Sequence, residues 1–153
     1  MILSLQNVEL LIKKLSSAND IPMPCYMSMG ASGMDIYAAV EKDILIEPGK
    51  SALIPTGLIV AVPEGFEIQI RPRSGLAVRK GISILNSPGT IDSDYRGEIK
   101  IIIINLGEKP FVVKRRDRIA QMVLCPVVRA IIKQAAELPS SNRNDGGFGH
   151  TGI

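Results

Sequence analysis

At 153 residues, with 46% hydrophobic side chains, the chain is long enough for one domain with a single sizeable core and too apolar to be disordered throughout. Tryptophan is absent and aromatics make up only 4%, so that core must be aliphatic. A net charge of +3 suits an anionic ligand but is too weak to mark a nucleic-acid binder.

In the N-terminal stretch the basic residues Lys13 and Lys14 follow the apolar run, the reverse of a signal peptide. No apolar run is long enough to cross a bilayer. Cys25 and Cys125 suit two reduced thiols better than a disulfide framework, and His150 has no Cys or His neighbour at metal-ligand spacing. The expectation is a soluble cytoplasmic protein without membrane or nucleic-acid partners. Residues 8–15 read as a strand in preference to a helical turn. Apolar runs then follow at 44–46, 58–62, 66–70, 82–85, 99–105, 111–113 and 119–128. Turn signals separate them, including Glu47-Pro48-Gly49, Pro55-Thr56-Gly57, Pro63-Glu64-Gly65 and Ser87-Pro88-Gly89. Short β-branched runs at roughly 8–12-residue spacing predict an all-β sandwich or barrel.

Two segments break the rhythm. Residues 74–81 read as one short helix, with Ser74 as N-cap, Arg79 and Lys80 in the last turn and Gly81 to stop it. At Ile101-Ile102-Ile103-Ile104 alternation fails, so both strand faces should be buried, by a second subunit or within one chain's core.

Five stretches carry groups with chemical potential. Asp35, set among small residues in Ser32-Gly33-Met34-Asp35, is a carboxylate that can orient water around a hard cation such as Mg²⁺; a structural turn is the plainer reading. Arg73, Ser74 and Gly75 would form a positively polarised helix start, an anion site, or an ordinary capped turn. Ser87-Pro88-Gly89 asks for a tight turn with Gly89 at positive φ, and Asn86 on its shoulder offers a donor and an acceptor to a base edge. Asp92 is a carboxylate that can accept a proton from water; alone, Asp92 and Asp94 read first as a polar turn before Arg96-Gly97. The basic run Lys114, Arg115, Arg116 and Arg118 reads as a solvated turn, with Arg118 and Gln121 available for polar contacts. The tail, Arg143 to Thr151, combines an arginine fork, Gly146, Gly147 and Gly149, and the ring of Phe148. Such a ribbon can close over a base bearing phosphates, although disordered ends are also common.

These stretches, "SGMDIYA" (32–38), "PRSGLA" (72–77), "NSPGTIDSDYRGEI" (86–99), "DRIAQM" (117–122) and "RNDGGFGHTG" (143–152), stand in one order. In that order the chain resembles the trimeric dUTP pyrophosphatases, the dUTPases. The resemblance implies a jelly-roll-like β-sandwich over residues 1–138 and a flexible arm over 139–153. It implies a homotrimer with active sites at subunit boundaries, hydrolysing dUTP to dUMP and pyrophosphate with Mg²⁺. By that resemblance Asp92 orients the attacking water, Asp35 holds the magnesium's water shell, and Gln121 lies near the phosphates and that water. Arg73, Ser74 and Gly75 would contact phosphates. Asn86, Gly89, Thr90 and Ile91 would read uracil, Tyr95 would pack where a ribose 2′-OH would sit, and Lys100 completes the substrate-binding set. Arg143, Phe148, Gly149 and Thr151 would cover the site, with Phe148 on uracil.

Three positions depart from the family pattern. Arg116 stands where glycine usually precedes the aspartate of the fourth motif. Asn144 stands where glycine usually follows the arginine of the fifth. Arg71 precedes Pro72, where an apolar or neutral residue is expected. Two rival readings, a dCTP deaminase on the same fold and a non-enzymatic nucleotide-binding module, predict loss of the "TIDSDYRG" chemistry or of the tail, and both are intact.

Overall fold

A computed structural model of the chain describes residues 7–147. Within them lie β1 Leu11–Lys14, β2 Met34–Tyr37, β3 Ile44–Ile46, β4 Ser51–Ala61, β5 Phe66–Arg71, β6 Ile82–Ile84, β7 Gly89–Ile91, β8 Glu98–Asn105, β9 Phe111–Val113 and β10 Arg118–Pro126. A 3-10 turn spans Ser16–Ala18 and one α-helix, α1, spans Ser74–Lys80. The strands form two four-stranded sheets, ordered β1-β4-β8-β6 and β2-β10-β5-β7, and a small β3-β9 pair. Each ladder is antiparallel. This is the expected all-β, jelly-roll-like sandwich with one short helix.

The core is aliphatic, as the composition requires. Ile54, Leu58, Val60, Ile99, Ile101 and Ile103 from the first sheet meet Ile36, Ile68, Ile70 and Met122 from the second. Burying each such side chain contributes about 1.5–3 kcal/mol. Within one chain the isoleucine run of β8 buries only one face, so of the two expected ways of covering the other, burial in the chain's own core does not hold. Ile101 and Ile103 are buried, whereas Ile102 and Ile104 are only half-buried. Ile102 lies opposite Leu53, which is 55% exposed, so within one chain an apolar stripe faces outward.

Pro55-Thr56-Gly57 is not a turn. It lies inside β4, where the pairing with β8 shifts register between Pro55 and Ile59. The irregularity is held by side chains: Thr56 Oγ1 donates to the Ile99 carbonyl at 2.6 Å, and the Gly57 amide donates to Glu98 Oε1 at 2.9 Å. Gly57 has φ +67°, and a Cβ there would fall 2.1 Å from that of Ala18. Bulges and turns demand the same residues, which is why the tripeptide misleads. Gly89 also differs from expectation. It is not among the glycines at positive φ; it begins β7 and is buried, and a Cβ on it would lie 3.2 Å from Asn86 Nδ2.

The basic run before β10 is only partly a solvated turn. Arg115 donates from Nε to Asp20 at 3.0 Å, from Nη1 to the Ala39 and Val40 carbonyls at 3.2 and 3.1 Å, and from Nη2 to the Ser17 carbonyl at 2.6 Å. It ties the segment after β1 to the loop after β2. Its hydrogen bond holds the Asp20 carboxyl down at about 2. Arg116 follows at φ 69°, and the Asp117 amide returns to the Lys114 carbonyl, the pattern of a type II turn. Asn144 has φ 44°. Both positions at which the resemblance leads one to expect glycine therefore take the left-handed conformation.

Candidate active site

The first cleft forms where β2 and β5 flank β10. In register, Gln121 lies between Asp35 and Arg71. Beyond Arg71 the chain passes through Pro72 into α1, which brings Arg73, Ser74 and Gly75 to the same place. The cleft encloses 280 Å³ and is lined by Gly33, Asp35, Arg73, Ser74, Gly75, Arg118 and Gln121, among others. Asp35 is only 8% exposed. Its carboxylate accepts from Arg73 Nε at 3.0 Å and Nη2 at 3.4 Å, and from Arg118 Nη1 at 3.1 Å. Arg73 Nη1 also donates to the Arg118 carbonyl at 3.1 Å. Two guanidinium groups against one carboxylate leave a net positive charge in a geometry suited to phosphate oxygens.

Ser74 is not the helix cap. Arg73 keeps an extended backbone (φ −87°, ψ 124°) and occupies that position without a side-chain cap bond, so Ser74 is the first helical residue. The Arg73 carbonyl takes the amides of Leu76 and Ala77, while those of Ser74 and Gly75 precede them at the helix start, beside the cleft. Gly81 closes the helix at φ +67° as expected. Gln121 is held by donating Nε2 to the Pro72 carbonyl at 3.0 Å. A Cβ on Gly33 would fall 2.6 Å from Gln121 Oε1, so the missing side chain at 33 makes room for the amide.

The second cleft, of 450 Å³, is lined by Leu53, Asn86, Thr90, Ile91, Asp92, Tyr95, Glu98 and Lys100. Six of these are residues anticipated from the sequence, and Gly89 adjoins them behind Asn86. Tyr95 donates its hydroxyl to the Glu98 carbonyl at 3.0 Å. Asp92 is exposed, and its carbonyl takes the Tyr95 amide at 3.2 Å.

The two clefts share no lining residue. Ile91 pairs with Ile68, which pairs with Leu124, so Asp92 stands two strands across and three to four residues along from Gln121. At about 4.8 Å per strand and about 3.4 Å per residue, their backbones are roughly 15 Å apart. Arg143 lies in neither cleft and donates Nε to the Gly146 carbonyl at 2.6 Å. Phe148, Gly149 and Thr151 lie outside the described residues. The sequence reading underplayed Arg118, whose place as a second cation on Asp35 follows only from the short β2-β10 pairing.

The dUTPase family pattern matches residues 19–152. The deoxyuridine 5′-triphosphate nucleotidohydrolase of Thermoanaerobacter sp. (strain X514) is 55% identical over 147 residues, covering 96% of this chain and 99% of that one. The chain belongs to the dUTPase family. Another relative of the same name, from the Wolbachia of Brugia malayi, is 54% identical over 143 residues and 92% of each chain. Among solved structures, the dUTPase of Staphylococcus bacteriophage 80alpha with dUPNHPP superposes with a TM-score of 0.86 at 27% identity, covering 96% of this chain and all of that one. Within a dUTPase the two clefts acquire a common logic, because both are lined by the family's motifs: one by "SGMDIYA", "PRSGLA" and "DRIAQM", the other by "NSPGTIDSDYRGEI".

Proposed function

We propose that the protein hydrolyses dUTP to dUMP and pyrophosphate in a site assembled between the subunits of a homotrimer. The observation that carries this reading is the separation of Asp92 from Gln121. Both must reach the water and the phosphorus that it attacks, yet within one chain they lie roughly 15 Å apart. A second copy that sets its Asp92 cleft against the Asp35 cleft of the first completes the constellation. The outward stripe of Leu53, Ile102 and Ile104 supplies apolar surface for such an association.

In the assembled site Arg73, Arg118, Ser74 and Gly75 bind and orient the triphosphate. Asn86 and the backbone of β7 read the uracil edge, and Tyr95 packs against the sugar. Asp92 holds a water in line with the α-phosphorus and takes its proton as the new P–O bond forms; the bond to the bridging oxygen breaks and pyrophosphate leaves. Such general-base assistance is worth about 10²–10⁴ in rate. The arm, residues 139–153, closes over the nucleotide with Arg143, Gly149 and Thr151 at the phosphates and Phe148 on the base. The product dUMP is a precursor for thymidylate synthesis, and removal of dUTP limits uracil in DNA.

The donor set bears on magnesium. Asp35 is one carboxylate whose oxygens already accept from two guanidinium groups, and among the described residues no cluster of three or more His, Cys, Asp or Glu side chains could hold an ion. That set fits an ion carried mainly by the substrate's phosphates, with Asp35 reaching it through water. When bound, Mg²⁺ spreads the triphosphate's charge and eases nucleophilic approach.

The test is pyrophosphate release from dUTP, UTP, dCTP and dTTP with and without Mg²⁺, for the native protein and Asp92→Ala. Release from dUTP well above that from UTP, dCTP or dTTP is expected, with the variant's turnover falling by about 10²–10⁴ while nucleotide binding persists. Ammonia from dCTP, or loss of binding together with turnover in the variant, would contradict the reading.

A further inference from the structure

Gly97 and the ring of Tyr95 compete for one volume. A Cβ built on Gly97 would fall 2.4 Å from Tyr95 Oη, 2.6 Å from Cζ and 3.0 Å from Cε2. The ring thus lies folded back over the backbone two residues ahead of it. Nothing in the backbone conformation asks for glycine here. The described glycines at positive φ are Gly49, Gly57, Gly65 and Gly81, and Gly97 is not one of them. Space for the ring is the remaining reason for its missing side chain.

The ring's other restraint is its hydroxyl bond to the Glu98 carbonyl, at 3.0 Å. Glu98 is itself fixed, because its carboxylate accepts the Gly57 amide in the β4 irregularity at 2.9 Å and faces Lys100 Nζ at 3.7 Å. Tyr95 therefore rests on a bare stretch of backbone tied to the sandwich at one point. It is 43% exposed, so its open side faces the nucleoside cleft, which it lines.

We propose that Gly97 is a specificity-determining positioning residue: by carrying no side chain, it lets Tyr95 lie where the ring excludes a ribose 2′-OH. The inference rests on the reading of this cleft as the deoxyuridine site. An added methyl at 97 meets the far end of a side chain, which can swing about its own torsions more easily than the backbone can move. The ring yields, the fold survives, and the wall against the 2′-OH is lost. Steric rejection of this kind is worth about 10–200-fold in kcat/KM, which sets the size of the effect.

The experiment is the ratio of kcat/KM for dUTP to that for UTP in the native protein, Gly97→Ala, Tyr95→Ala and the double variant, with thermal melts alongside. Gly97→Ala should narrow the ratio by about tenfold or more, Tyr95→Ala should narrow it at least as far, and the double variant should go no further than Tyr95→Ala. A Gly97→Ala protein that loses both activities equally, keeping the ratio, would overturn the proposal. So would one that does not fold, since the ring is what should move. A ratio unchanged in Tyr95→Ala would instead sink the sugar-site reading, and this inference with it.

Discussion

Around Asp35, side chains are positioned by charge: two guanidinium groups converge on a nearly buried carboxylate, and Gln121 is anchored to a carbonyl. Around Tyr95, they are positioned by absence: glycines at 89 and 97 leave room into which Asn86 and the tyrosine ring settle. Under the proposed reading the division matches what each half would recognise. Phosphates are alike in every nucleotide, so binding them calls for strength. Base and sugar carry the identity, and small steric differences decide there.

That contrast makes the charged half the more fragile to a single substitution. Arg73→Ala removes the proposed phosphate contact and one of the two guanidinium groups on Asp35. It should raise KM for dUTP about ten- to a hundredfold, the worth of a charge-assisted hydrogen bond of about 1.5–3 kcal/mol, while the dUTP-to-UTP ratio stays put. A changed ratio in steady-state kinetics would mean that the halves are not separable.

A smaller effect tests the scaffold that delivers Arg118 and Gln121. Arg116 precedes β10 in a left-handed conformation. Arg116→Gly should relieve that cost, roughly 1–2 kcal/mol, less glycine's greater loss of chain entropy of roughly 0.5–1 kcal/mol. A gain of about 0.5–1 kcal/mol in denaturant unfolding, with unchanged kinetics, is expected; a loss would mean that the Arg116 side chain holds the turn.

The smallest effect concerns the Arg115 tie. The Asp20 carboxyl titrates at about 2 in the folded protein, against an ordinary value of 3.8. A depressed value means stability present in full above the ordinary value and lost as pH falls through the folded one. Asp20→Asn should therefore lower the melting temperature slightly at pH 7, with the gap closing between about pH 4 and pH 2. A gap independent of pH would assign the effect to packing rather than charge.

Much of this was legible beforehand. The β-branched runs mark their strands because alternation and turn residues report burial directly. The short strand β2 was not legible as a strand: Met34–Tyr37 is too brief for a period to show, and it becomes one through β10. Pro55-Thr56-Gly57 misled because a bulge uses turn chemistry. Ser74 looked like a cap because serine favours that position, whereas Arg73 takes it and the serine enters the helix. Most of the candidate residues gather into two clefts along motif lines, but which residues share a cleft could not be read from the residues themselves, since that depends on strand order and register. The Gly97–Tyr95 contact had no signal at all: glycine before a strand reads as punctuation, and only the ring's position gives it meaning.

The central claim is that no single chain completes the site, and subunit complementation tests it most directly. Arg73→Ala and Asp92→Ala proteins should each be deficient, one in the proposed phosphate cleft and one in the proposed nucleoside cleft. Unfolded together and refolded as mixed oligomers, they should regain dUTP hydrolysis at sites that join an intact Asp35 cleft from one chain to an intact Asp92 cleft from another. Mixed oligomers no more active than the two parents assayed separately would contradict the account.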